Sequence, residues 1–244
     1  MQALKSKLRD LKLAGIVKSI ETRNKYALEN NISYLEFIES LIEDEYANRL
    51  ANSFQKRFNR SKLNPEKSMD AYDFKYQPEL DKKLINELAS CRFIDQNKNV
   101  VLMGKPGVGK THIANAIGLE AVKQGYKVIF IHVNELVEKL SASRADGTFN
   151  TTLNQYLNTD ILILDEIGFK KMPSIGLDDF FEIIRKRYEK GSLIITTNRN
   201  FEDWGNVFGD NVLASAIIDR IVHHAFIIKI NGESFRIKDY VKTN

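Results

Sequence analysis

The sequence predicts an α/β domain of three layers around a central parallel sheet, preceded by a small all-helical N-terminal domain. Three observations carry that expectation. From residue 80 onward, five short apolar runs alternate with helical patterns, as strands covered on both faces do. The first 58 residues show only helical spacing of apolar positions. A glycine-rich turn separates the first apolar run from the helix after it, the strand–turn–helix order of parallel folds.

Taken in order, the helical part begins with Leu4, Leu8 and Leu11, then Leu13, Ile16, Val17 and Ile20 after the break at Ala14-Gly15. Ser33 and Glu36 match a capping box and open a long helix. Its stripe runs Ile38, Leu41, Ile42, Tyr46, Leu50, Phe54 and Phe58, read as core rather than as a base-stacking platform. Residues 59–70, polar and containing Asn64-Pro65, read as a linker to a second domain over 71–244. In that domain the apolar strands are 100–103, 128–131, 161–164, 193–196 and 226–228. Helices are expected at 109–124, 134–142, 149–157, 176–190 and 212–223.

Composition narrows the function classes. With 244 residues, 43% hydrophobic and 28% charged, the chain is long enough to bury a core and is neither disordered nor fibrous. The single cysteine, Cys91, excludes a disulfide framework and cysteine-rich metal sites and reads as a small buried hydrophobe. No apolar run is long enough to span a membrane, and the charged N-terminus lacks a signal-peptide core, so a soluble protein of the reducing cytoplasm is expected. The net charge of +4 permits a nucleic-acid partner without requiring one. It is unevenly spread. Residues 1–28 carry seven basic and two acidic side chains, 29–46 six acidic and none basic, and 47–68 six basic and one acidic. Such blocks pair with each other, with a partner, or only with solvent.

The chemistry is concentrated at strand ends. Gly104-Lys105-Pro106-Gly107-Val108-Gly109-Lys110-Thr111 is a complete G-x-x-x-x-G-K-[ST] loop between a strand and a helix start. Its glycines let backbone N–H groups converge on a phosphate, and the helix N-terminus adds positive potential. Lys110 is suited to the β- and γ-phosphates of ATP and the Thr111 hydroxyl to Mg²⁺. The strand 161–164 ends in Asp165-Glu166. Asp165 is suited to Mg²⁺ and Glu166 to orienting and polarising a water, which a nucleotide kinase would not need. Asn198, ending the strand 193–196, is a candidate contact to the γ-phosphate or that water.

The assembled motifs resemble the AAA+ ATPases in the branch of DnaA and DnaC, and most closely the IstB-like helper ATPases of insertion sequences. The carriers are the loop 104–112, Leu164-Asp165-Glu166-Ile167-Gly168, Thr197-Asn198-Arg199, and the tail. The tail comprises Phe201 to Asp210, Ala216 to His224 and Gly232-Glu233-Ser234-Phe235-Arg236. The resemblance implies an ATPase that assists DNA transposition, multimerises with ATP on duplex DNA and acts with a cognate transposase, associated with the nucleoid when bound. It implies that Asn198 is a sensor residue and Arg220 an arginine finger for the ATP of the next subunit. It adds His112 and Arg236 to the nucleotide contacts, with Arg236 a second arginine near the γ-phosphate. No separate helical lid is expected. DNA contacts are expected from Lys139, Ser141, Ser143 and Arg144, with Lys170 and Lys171 a second candidate pair. His223 and His224 read as structural. A helicase loader of the DnaC type and a nucleotide-switched binding module with little hydrolysis are the alternative readings.

Overall fold

The computed structural model describes residues 1–168 and 171–237. The chain divides into two compact units, 1–56 and 57–244. The first contains α1 (Gln2–Asp10), α2 (Ala14–Asn30) and most of α3 (Tyr34–Ser61). The capping box forms: the Ser33 N–H donates to Glu36 Oε2 at 2.8 Å, and the Glu36 N–H donates to Ser33 Oγ at 3.3 Å. Helix α2 has no side-chain cap of its own. Its orphan donors at Gly15 and Ile16 are met instead by the Glu45 carboxylate of α3, at 2.6 and 3.3 Å. Gly15 permits this, because a Cβ there would stand 2.6 Å from the Glu45 Cα.

The segregated charges pair with each other in this unit. Arg23 of α2 grips Asp44 of α3 with two bonds of 2.7 and 2.8 Å, and Arg49 donates to Glu45 at 2.7 Å. The apolar stripe is less buried than its spacing suggests. Leu41 is covered, but Ile38, Ile42, Tyr46 and Leu50 are each more than half exposed. A unit of three helices has too little mass to cover α3 all round.

In the second unit, α3 ends at Ser61, three residues beyond the helical boundary expected at 58. The stretch expected to be a linker is held in place. Leu63 is buried, the Asn64 N–H donates to Asn115 Oδ1 at 2.9 Å, and Asn115 Nδ2 returns bonds to the Asn64 and Lys67 carbonyls. The elements that follow are α4 (Lys82–Ala89), α5 (Arg92–Asp95), β1 (Asn99–Gly104), α6 (Lys110–Lys123), β2 (Val128–His132), α7 (Val133–Ala145) and α8 (Phe149–Leu157). Then come β3 (Ile161–Ile167), α9 (Ser174–Arg187), β4 (Ser192–Thr197), α10 (Trp204–Phe208), α11 (Asn211–Val222) and β5 (Ala225–Ile230).

The sheet is wholly parallel, in the order β2-β3-β4-β1-β5. On one face Leu136, Leu140, Leu153, Phe180, Ile183, Trp204 and Ile217 of helices α7 to α11 pack into a single core. On the other, Ile113, Ala114, Ile117 and Ala121 of α6 are fully buried. Helix–sheet–helix is thus the three-layer α/β architecture the apolar runs predict. Cys91 is fully buried, and burial pushes its thiol up to about 12. No described helix is long and apolar enough to cross a membrane. The chain leaves β1 for the distant β2 and returns to both sides of β1 with β4 and β5. That reversal opens a crevice beyond the carboxyl ends of the strands, where parallel sheets bind ligands.

A buried guanidinium secures the opposite end. Arg187 Nη1 donates to the Tyr156 and Thr159 carbonyls at 2.8 and 2.9 Å, and Nη2 to the Ser192 carbonyl at 2.9 Å. It ties the entry of β3 to the entry of β4.

The Arg23 guanidinium, helped by the Ser19 hydroxyl, holds the Asp44 carboxyl down at about 2. A carboxyl depressed on folding contributes stability above its ordinary value and loses it as pH falls through the folded one. Arg23→Ala is therefore expected to weaken the helical unit in urea unfolding near neutral pH, and only modestly for so exposed a guanidinium. The gap from the unsubstituted chain should narrow between about pH 4 and about pH 2. A gap constant with pH would contradict the assignment.

Candidate active site

The loop 104–111 joins β1 to α6, with Lys110 the first residue of the helix. Gly107 and Gly109 have φ of +83° and +98°, backbone that side chains rarely adopt. Space forbids a side chain there too. A Cβ on Gly109 would stand 2.7 Å from Tyr72 Cε2, and one on Gly107 would overlap the Ser234 hydroxyl. The Lys110 side chain folds over the loop and donates to the Gly104 and Lys105 carbonyls, each at 2.8 Å. Burial lowers its pKa, while the charges of Asp165 and Glu166 oppose that shift.

Asp165 has no solvent exposure, so its oxygens must be met by protein. The Thr111 hydroxyl donates to Oδ1 at 2.9 Å, the Thr196 hydroxyl to Oδ1 at 2.5 Å, and His132 Nδ1 stands 3.3 Å from Oδ2. The same Thr196 oxygen accepts the Glu166 N–H at 2.9 Å. Here the β3–β4 ladder slips. Leu164 pairs with Ile195, but Ile167 pairs with Thr197, so β3 has one residue more than its partner. Glu166 takes the bulge, with φ of +62°. A bulge re-aims side chains. It leaves Glu166 half-exposed at the cleft while Asp165 stays buried, with His132 Nδ1 3.8 Å from Glu166 Oε2.

The cleft has a volume of about 470 Å³. Of the residues expected at the site, it brings together Pro106 to His112, Glu166, Asn198 and Arg236, with Asp165 beneath. Gly104 faces a neighbouring groove shared with Lys105, Asn198 and Arg199. Arg236 arrives on the tail. The Phe235 N–H donates to the Gly107 carbonyl at 2.9 Å, and the Tyr76 hydroxyl to the Ser234 carbonyl at 3.1 Å. Among the described residues after β5 there is only a short 3₁₀ turn, Phe235–Ile237, and no lid helix. Hard oxygen donors 2.9 Å apart, from Thr111 and Asp165, suit Mg²⁺.

Other expected residues lie elsewhere. Arg220 is in the last turn of α11, just before β5, at the amino ends of the strands. The cleft is at their carboxyl ends, roughly 20 Å away for strands of this length. Its Nη1 donates to the Ala216 carbonyl at 2.8 Å and its guanidinium lies over the Phe181 ring. Lys139 pairs with Glu135, and Arg144 pairs with the buried Asp179 and stacks on Phe149 at 3.9 Å. Ser141 is exposed. Ser143 is buried, its hydroxyl bonded to the Leu140 carbonyl, so its side chain is not on offer to a phosphate. Lys171 is exposed, and Lys170 lies outside the described residues.

Sequence reasoning missed Tyr72, His132, Thr196 and Ser234. Position at a strand end was a usable signal for His132 and Thr196, since β2 and β4 flank β3. Nothing local marks Tyr72 or Ser234. Thr196→Val removes an acceptor for the Glu166 N–H and a donor to a buried carboxylate. We expect it to cost about 1–3 kcal/mol in urea unfolding, and Thr196→Ser to cost much less. Equal losses would remove the hydroxyl from the account.

Comparison with known proteins bears on this arrangement. The profile of the IstB-like ATP binding proteins matches residues 6–243. The ATP-binding protein of insertion sequence IS5376 from Geobacillus stearothermophilus is 40% identical over 88% of this chain and 86% of its own. That of IS21 from Pseudomonas aeruginosa is 37% identical over 98% of this chain and 90% of its own. Among solved structures, AMPPCP-bound DnaA from Aquifex aeolicus superposes with a TM-score of 0.60 at 24% identity. It covers 75% of this chain and 56% of that one, which shows a shared fold. The DnaC helicase loader gives 0.54 at 25% identity, over 61% of this chain and 86% of that one. With a profile match spanning nearly every residue and relatives at this identity, the chain belongs to the family of IstB-like ATP binding proteins.

Proposed function

We propose that the chain is an ATP-hydrolysing, DNA-binding AAA+ protein that assists a cognate transposase and works as a homo-oligomer on duplex DNA in the bacterial cytoplasm. The naming of its relatives for insertion sequences supports the setting. The observation that carries hydrolysis is the bulge that turns Glu166 into the cleft beside the phosphate loop while Asp165 stays buried.

In this reading the backbone N–H groups of 106–111 and the Lys110 ammonium hold the phosphates of ATP. Thr111 and Asp165 would hold Mg²⁺, which when bound would supply charge neutralisation for the phosphates. Glu166 accepts a proton from the attacking water and fixes its direction. Asn198 reaches the same space from β4, and Arg236 from the tail. Arg220, at the other end of the sheet, serves the cleft of a neighbouring subunit, so transition-state charge is met only on assembly. DNA phosphates are met by Lys139, Ser141 and Arg144, with Lys171 a further candidate; Arg144 would exchange Asp179 for phosphate. The N-terminal unit serves assembly or the transposase.

Glu166→Gln is expected to lower DNA-stimulated hydrolysis roughly 10²–10⁴-fold while ATP binding persists. A single-turnover rate that did not change would remove Glu166 from the mechanism. Mixing inactive Arg220→Ala with inactive Lys110→Ala should restore part of the activity, since a mixed interface pairs an intact cleft with an intact finger. No recovery at any ratio would place Arg220 outside the reaction. Pull-down with the cognate transposase and with the replicative helicase separates a transposition helper from a helicase loader, and capture of the helicase alone would favour the loader.

A further inference from the structure

Away from the cleft, at the amino ends of the strands, three metal-ligating side chains converge. Glu189 lies in the turn between α9 and β4, and His223 and His224 in the turn between α11 and β5. One ring nitrogen from each histidine and one Glu189 oxygen lie within 4.8 Å of one another, with His224 Nε2 3.7 Å from Glu189 Oε1. The two imidazole centroids are 4.0 Å apart. We propose that Glu189, His223 and His224 form a binding site for a borderline divalent ion of the zinc class.

The donor set decides the class of ion. Two imidazoles and one carboxylate suit zinc and its first-row neighbours, whereas Mg²⁺ and Ca²⁺ favour oxygen alone. Bonds of about 2.0–2.2 Å at tetrahedral angles put ligand atoms roughly 3.3–3.5 Å apart, so the 3.7 Å pair needs little movement. All three side chains are exposed, so an adjustment of that size displaces no packed neighbour, and a fourth position is left for water.

The platform beneath them is rigid. Asn99, at the start of β1, lies between the two turns. Its N–H donates to the His224 carbonyl at 2.7 Å, its Nδ2 donates to the Ile221 carbonyl at 2.9 Å, and its Oδ1 accepts the Leu193 N–H at 2.9 Å. One buried amide therefore clamps both ligand-bearing turns. The Tyr188 hydroxyl stands 2.7 Å from His223 Nδ1 and orients that ring. Glu189 itself is held at φ of +57°, an unfavourable backbone for a non-glycine residue that brings its side chain beside the histidines. The site is separate from the His132, Asp165 and Glu166 group, which lies at the carboxyl ends of the strands.

The test uses the full chain, stripped with a chelator and kept in excess magnesium. Zinc titration by calorimetry should show one ion per chain, and cobalt should give visible bands of a low-coordinate imidazole site. His224→Ala and Glu189→Gln should each weaken zinc binding by at least about tenfold and abolish the bands. Their zinc-free melting temperatures should match the parent, because the side chains are exposed. Glu166→Gln should leave both readouts unchanged. Zinc binding equal in the parent and both variants, absent altogether, or lost only in Glu166→Gln would overturn the assignment.

Discussion

A carboxylate with no access to water organises the centre of this molecule. Asp165 sits at zero exposure, and an unmet charge there would cost several kcal/mol. It is met from three directions, by Thr111 at the start of α6, Thr196 on β4 and His132 at the end of β2. Those partners set the register of the phosphate loop against the strands on either side. Because Thr196 uses its one oxygen both to donate to Asp165 and to accept the Glu166 N–H, the bulge is bonded to the buried charge. Adjacent acids on a regular strand would face opposite layers. The extra residue places one beneath the loop and the other at the cleft.

The same logic recurs in the N-terminal unit with a different purpose. Glu45 is nearly buried and supplies the cap that α2 lacks, and its cost is offset by Arg49 and two backbone donors. Of its hydrophobic side chains Ile20 and Leu41 are buried, and the Arg23–Asp44 pair and the Glu45 cap tie α2 to α3 beside them. Helix α3 keeps an apolar face uncovered along Ile38, Ile42, Tyr46 and Leu50.

The five strands and their order of appearance were legible because each is buried on both sides and so reads as an unbroken apolar run. The capping box was legible because both partners lie within one turn. What escaped detection depends on contacts distant in sequence. His132 and Thr196 matter only through β2 and β4 lying beside β3, and strand order is not written in any local pattern. Tyr72 meets the loop at Gly109 from 37 residues before it, and Ser234 at Gly107 from 127 residues after it. The spacing of the α3 stripe marks it as core because periodicity reports which face is apolar, not whether anything covers it. Asn64-Pro65 reads as a linker in sequence because its polarity is visible there and the Asn115 that satisfies it is not.

The two ends of the sheet carry different parts of one proposed reaction. Phosphate loop, acids and Asn198 gather at the carboxyl ends, while Arg220 stands at the amino ends. A strand cannot be folded back to bring them together, so a subunit that uses both must receive one from a neighbour. Hydrolysis would then report assembly. In the proposed assembly the net charge would count differently, since an excess of +4 per chain is small alone but would repeat along a phosphate backbone with every subunit added. Counter-ion release accumulates with each contact, so binding would be weak and salt-sensitive for one subunit and strong for many. On the proposed reading, a protein that is only mildly basic senses DNA through its own copy number.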